Sequence, residues 1–196
     1  MLRCRVRGVR VEVSFGFLLM LCVASLGKLE VILLWSLLFM SLHECGHLAA
    51  MLATGRPPSA IRLRAGRVSI EPRTQLAGDG VEALILVSGV AVNLLLAAGF
   101  ALAGREEFAA ANLLMAGFNL VPAGELDGGR LFRLLLRRTL GERRGERACA
   151  AVSFLLSVAL LTAGLLFLTG SSRNPTLLLA SLYFFISTVQ NIRYTF

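Results

Sequence analysis

The apolar positions of this chain gather into six runs separated by short polar connections, at about 15–27, 31–52, 82–103, 108–130, 148–168 and 176–190. A helix needs about 20 apolar residues to cross a hydrocarbon core of about 30 Å, so the runs predict transmembrane helices. The first, from Phe15 to about Leu26, is short and must borrow length from its flanks or be buried in protein. Before it, residues 1–14 alternate basic and apolar side chains, as a short strand or an interfacial segment does. The longest polar connection, residues 53–80, holds Ile61-Arg62-Leu63-Arg64 and Val68-Ser69-Ile70-Glu71 around Ala65-Gly66-Arg67, which predicts a β-hairpin at the membrane surface. Its edge could pair with an extended substrate by strand addition. The fourth run carries Pro122 with Gly124, Gly128 and Gly129, and such a stretch cannot stay an undisturbed helix. Broken backbone at membrane depth is tolerated where protein encloses it or where it lines a polar cavity. The expectation is an all-α, six-span membrane protein forming a single domain over residues 1–196, with a broken fourth span and a small surface hairpin.

Composition agrees with that layout. Of 196 residues 56% are hydrophobic and 16% charged, and the mean hydropathy is +0.74, outside the range of a soluble globular domain. A net charge of +8 raises the question of nucleic acid, but the arginines cluster between apolar runs, so no direct nucleic-acid partner is expected. With the N-terminus inside, four Lys or Arg precede the first span, five lie in residues 53–80, seven in Arg130–Arg147, and Arg193 follows the last, which makes 17 cytoplasmic against three outside. That bias predicts a multi-pass protein with both termini cytoplasmic. Cys4, Cys22, Cys45 and Cys149 are scattered and form neither a disulfide framework nor a metal-binding pair. The N-terminus is read as a retained span, because no small-residue cleavage site leads into a soluble domain.

The candidate chemistry sits in the second run, at His43-Glu44-Cys45-Gly46-His47. Histidines four apart share one helix face, so both can bind one tetrahedral metal, and the Glu between them can act as the base of a zinc hydrolase. The chain has only two histidines, and both are here. A charged residue inside a span persists where it pairs, binds a metal or lines a cavity, which gives Glu44 a reason to be there. A catalytic zinc takes three protein ligands, and no third histidine exists. Asp127, in the break of the fourth span, is the leading candidate and Glu125 the fallback. Read alone, Asp127 could equally be a turn residue before Gly128. Asn93, an amide in the third run, either bridges helices or points into the site, where it could stabilise an oxyanion. Cys45 faces away from the histidines and reads as a packing residue.

The HECGH motif in an early span, with Asn119-Leu120-Val121-Pro122 and Leu126-Asp127-Gly128-Gly129, resembles the site-2 protease family of intramembrane zinc metalloproteases. The short length and the Val-Glu-Val-Ser-Phe lead into the first span are most similar to its stage IV sporulation protein FB branch. The resemblance implies a bound Zn2+, with His43, His47 and Asp127 as ligands and Glu44 as catalytic base. It makes Asn93 and Asn119 candidates for substrate or oxyanion contact. One departure is Gly89-Val90, where the family often has Gly-Pro. The implied activity is cleavage of a membrane-tethered protein near the cytoplasmic face. In the sporulation branch the substrate is a pro-sigma factor, membrane inhibitor proteins hold the enzyme, and the location is a bacterial, forespore-surrounding membrane. Neither a PDZ insertion nor a CBS domain is legible, so regulation of either kind would need a separate protein. The alternative from another class is a catalytically silent membrane scaffold or metal-binding protein that retains the fold; complete retention of His43, Glu44, His47 and Asp127 argues against it.

Overall fold

The computed structural model describes residues 2–6, 9–15, 17, 30–64, 67–72, 78–124, 126–169 and 176–193. Most of the expected first span, the Ala65-Gly66 tip of the hairpin, Glu125 and the connection at 170–175 lie outside them. In order, the chain forms β1 (Leu2–Val6), β2 (Val9–Val13), α1 (Glu30–Ala53), β3 (Pro58–Arg64), β4 (Arg67–Pro72), α2 (Asp79–Leu102), α3 (Glu106–Asn119), α4 (Asp127–Leu140), α5 (Glu142–Thr169) and α6 (Thr176–Arg193). It divides into two compact units, Met1–Gly117 and Phe118–Phe196.

In the first unit the strands make one sheet in the order β1-β2-β3-β4. The expected hairpin is there as β3 and β4, antiparallel with Ile61 opposite Ile70. The N-terminal alternation is not one strand but a hairpin of its own, with Arg3 opposite Glu12, and β2 runs parallel to β3 with Glu12 opposite Arg62. Glu12 is therefore flanked by two guanidinium groups across three strands. Arg62 Nε donates to it at 3.1 Å and Arg3 Nε lies at 3.5 Å, which allows a carboxylate that is only 7% exposed. The pairing holds β2 in register against β3.

Helix α1 crosses α2 at Gly46, which faces the backbone of Ser88 and Gly89 and the Val92 side chain. A Cβ on Gly46 would lie 2.7 Å from the Ser88 carbonyl oxygen and 3.1 Å from the Gly89 Cα, so glycine is what lets the backbones touch. One turn before His43, Phe39 is 2% exposed and packs edge-on against Phe100 of α2 and Phe108 of α3, with centroids 5.7 and 5.9 Å away. Trp35 closes the cluster against Phe108 at 4.4 Å. These rings tie three helices together at the turn below the motif.

In the second unit, Arg130–Arg147 is helical where a basic connection was expected. Arg130, Arg133, Arg137 and Arg138 recur at helical spacing, leaving leucines for the other positions of α4. Glu146 of α5 lies 3.7 Å from Arg133 and 3.8 Å from Arg137. The side of α5 turned inward is small: Gly145, Cys149, Ser153, Ser157 and Gly164 are buried, while Phe154, Leu155, Leu165, Leu166 and Phe167 are exposed. In water that distribution would be inverted; it suits a lipid-facing helix.

Among the described residues, three helices are long and apolar enough to cross a membrane: Leu34–Ala53, Asp79–Leu102 and Glu142–Thr169. At 14 residues each, α3 and α4 reach about 21 Å. The fourth run is thus two short helices, with the segment 120–126 between them non-helical where described. Truncating the hub of the aromatic cluster, Phe39→Ala, should cost about 3–5 kcal/mol of stability. Thermal unfolding in detergent micelles measures this as a lowered midpoint, and an unchanged midpoint would remove the cluster as the element joining α1 to α2 and α3.

Candidate metal centre

His43 and His47 lie on one face of α1, as their four-residue spacing requires, and both are buried, with 4% and 8% of their surface exposed. Their rings meet edge to face, and the Nε2 atoms converge to 3.1 Å. Each outer nitrogen is held by α2. His47 Nδ1–H donates to the Ile85 carbonyl at 2.6 Å, and Asn93 Nδ2 donates to His43 Nδ1 at 3.1 Å. Ile85, Gly89 and Asn93 follow one another at intervals of four, so a single face of α2 supports both rings. Between the two polar contacts, Gly89 leaves the space that the imidazoles fill. A Cβ there would stand 2.5 Å from His47 Cε1 and Nε2 and 2.8 Å from His43 Nε2.

The donor set fits a metal. Two nitrogens on one tetrahedral zinc at about 2.0–2.1 Å are about 3.3 Å apart, close to the separation seen. Because the Ile85 oxygen can only accept, a neutral His47 has its hydrogen on Nδ1 and a bare Nε2 aimed at His43. Glu44 is half-buried beside them, and one ligand atom from each of His43, Glu44 and His47 lies within 4.8 Å of the others. Cys45 is exposed rather than packed between helices.

The second unit carries the other candidates. Asn119 is the last residue of α3, and Asp127 the first of α4; both are half-buried. The segment between them is anchored to α5, since Gly124 N–H donates to Ser153 Oγ at 3.0 Å in a buried contact. A Cβ on Gly128 would collide with the Leu120 carbonyl oxygen, so Gly128 allows α4 to start tight against that segment. Glu125 is outside the described residues. The structure thus brings together His43, Glu44, His47 and Asn93, and adds Ile85 and Gly89, which sequence reasoning missed. Gly89 was legible as a small residue four before Asn93. The role of the Ile85 carbonyl had no sequence signal, because any residue supplies a carbonyl.

The fold and site define a class: a mostly helical integral membrane protein with a buried HExxH pair. The model of Peptidase family M50 matches residues 106–161, the stretch from α3 into α5 that contains Asp127. A zinc metalloprotease of Methanocaldococcus jannaschii is 26% identical over 206 residues, covering 96% of this chain and 59% of its own length. The chain therefore spans about three fifths of that relative. The solved site-2 protease from Methanocaldococcus jannaschii shares the fold, with a TM-score of 0.73 at 23% identity over 96% of this chain and 94% of that one. The chain is thus similar to peptidase family M50 over part of its length, to a zinc metalloprotease in sequence and to a site-2 protease in fold.

Adding one methyl at the support, Gly89→Ala, should displace the imidazoles and weaken zinc binding by at least about tenfold, with helix content unchanged. Zinc titration against a chromophoric chelator, paired with circular dichroism, reads both. Undiminished affinity would mean that α2 does not set the position of the rings.

Proposed function

We propose that this chain is an intramembrane zinc endopeptidase that cuts a membrane-tethered protein near the cytoplasmic face. The observation that carries the reading is the pair of buried imidazoles whose Nε2 atoms converge at 3.1 Å, with the Glu44 carboxylate beside them in an apolar helix. His43 and His47 supply two ligands, and Asp127, opening α4 after the non-helical segment, supplies the third. When bound, zinc supplies a Lewis acid that polarises a carbonyl and acidifies water. The chain's own residues do the rest. Glu44 accepts a proton at its carboxylate as the peptide carbonyl is attacked, then returns it to the departing amine. Asn119, at the end of α3, contacts the substrate backbone. The apolar helices around the histidines keep bulk water away, so only water admitted to the site reacts.

The finer reading places the substrate, a membrane-tethered transcription factor or signalling protein, on the cytoplasmic side, in keeping with the arginine count. The Val-Glu-Val-Ser-Phe lead and the Asn119-to-Gly129 pattern favour the sporulation branch. There the substrate is a pro-sigma factor, the regulator a membrane inhibitor protein, and the membrane that around the forespore.

Glu44→Gln should keep zinc and lower cleavage of a co-expressed membrane-tethered substrate by about 10²–10⁴-fold. Immunoblotting of the released fragment measures it, and undiminished cleavage would sink the role of Glu44. Asp127→Asn should lower the zinc content of the purified protein. Full occupancy in that variant would take Asp127 out of the ligand set.

A further inference from the structure

We infer that Arg56, just beyond the helix that carries the HECGH motif, holds the phosphodiester of a membrane lipid. Helix α1 ends in a left-handed turn. Gly55 has φ 70°, its N–H donates to the Leu52 carbonyl at 3.0 Å, and Arg56 N–H donates to the Met51 carbonyl at 2.7 Å. Thr54 donates its N–H and its hydroxyl to the Ala50 carbonyl, at 3.0 and 2.7 Å. The carbonyls of Ala50, Met51 and Leu52 are therefore satisfied without an arginine side chain. The same bonds fix the backbone of Arg56, so its guanidinium departs from a set place at the end of α1.

That guanidinium carries five N–H donors and a full charge. Its Nη1 is shut away from the surface with no hydrogen-bond partner, and none of the ion pairs found among the described residues includes Arg56. A buried donor without an acceptor costs stability, and a buried charge without a counter-charge costs more. Nη1 alone of the three side-chain nitrogens is in that position, and the residue as a whole is only half-buried, so the rest of the fork opens outward. What lies outward follows from α1. Its apolar span runs Leu34–Ala53, so Arg56, three residues on, stands at the depth of the lipid headgroups. Leu52 is 56% exposed at the same end, as a side chain turned to acyl chains is. A phosphodiester offers two non-bridging oxygens that share a negative charge, and the planar fork of arginine matches them as a pair. Such a contact pins the end of α1 at the headgroup level. With a helical rise of about 1.5 Å per residue, it sets His47 about 9 Å and His43 about 15 Å below Ala53 along the helix.

The test uses the full chain, purified in dodecyl maltoside until phosphorus analysis finds no phospholipid, and reads the midpoint of thermal unfolding. Dioleoylphosphatidylglycerol should raise the wild-type midpoint by about 2–4 °C, the shift expected of one arginine–phosphate contact. Dioleoylglycerol has the chains without the phosphate, and inorganic phosphate lacks the chains; each should give less than half of that gain. Half the gain or more from dioleoylglycerol would overturn recognition of the phosphate, and the same from inorganic phosphate would overturn the lipid as its source. Arg56→Met should match or exceed the wild-type midpoint before lipid is added, because it removes the unpartnered donor, and should gain little from the phospholipid. Arg138→Met, at an exposed arginine of α4, should keep the full gain. An equal gain in wild type and Arg56→Met, or loss of the gain in Arg138→Met, would overturn the assignment to Arg56. So would the absence of any gain in the wild type. Arg56→Gln gives the same comparison if the methionine variant does not fold. Zinc plays no part in the readout, so the result stands apart from the protease reading.

Discussion

Everything at this site depends on keeping two imidazole nitrogens aimed at one point inside an apolar helix pair. Burying a polar group without a partner costs about 1–3 kcal/mol, so the nitrogens that do not converge must be satisfied elsewhere. Helix α2 does this with one backbone carbonyl and one amide, at Ile85 and Asn93. The rings can reach both only because α2 has no side chain between them at Gly89, and α1 none at Gly46. A larger residue at either crossing position would part the helices and strand the histidines. The support of the histidines and the backbone contact between α1 and α2 are therefore one structure.

Lipid explains why the contacts take this form. Between helices in a membrane there is little hydrophobic gain from association, and close approach and buried polar bonds must supply it. The second unit follows the same rule. Ser153 accepts from Gly124, and Gly164 lets α5 approach Ser181 of α6, while leucines and phenylalanines of α5 face outward. Among the described residues, Ser153 joins two segments through its hydroxyl, Ser157 and Asn112 bond back to their own helices, and the two imidazoles and the Glu44 carboxylate gather at one place.

Much of this was legible in the sequence, and the gaps have physical causes. The HECGH spacing, the β3–β4 hairpin and the interruption after Asn119 are local signals, each carried by residues within a few positions of one another. The parallel pairing of β2 with β3 is not local. It joins Arg10–Val13 to Ala60–Leu63 across the whole of α1, and nothing in either segment names its partner. Glu12 was the one clue, a carboxylate in a basic strand that needed an arginine opposite. Helix α4 was hidden for another reason: counting its arginines as a connection obscured their helical spacing on one face. Asn93 was read as either a bridge between helices or a residue of the site, and its amide does bridge α2 to His43 of α1.

Exposure orders the residues by what each must meet. The imidazoles, which need only a metal and their supports, are 4% and 8% exposed, and the supporting amide of Asn93 is fully buried. Glu44, next to His43 in the chain, is half-buried, as is Asp127 at the head of α4. In the proposed hydrolase, water and a peptide must reach Glu44 while the groups that hold the histidines in place stay shielded. A site buried uniformly would be dry and inert, and one open throughout would let water compete for the hydrogen bonds at Ile85 and Asn93. Helix periodicity resolves the conflict within five residues: successive positions turn by about 100°, so Glu44 leaves the face shared by His43 and His47. The same geometry that puts two imidazoles on one face therefore starts Glu44 off that face, with its carboxylate still within 4.8 Å of them.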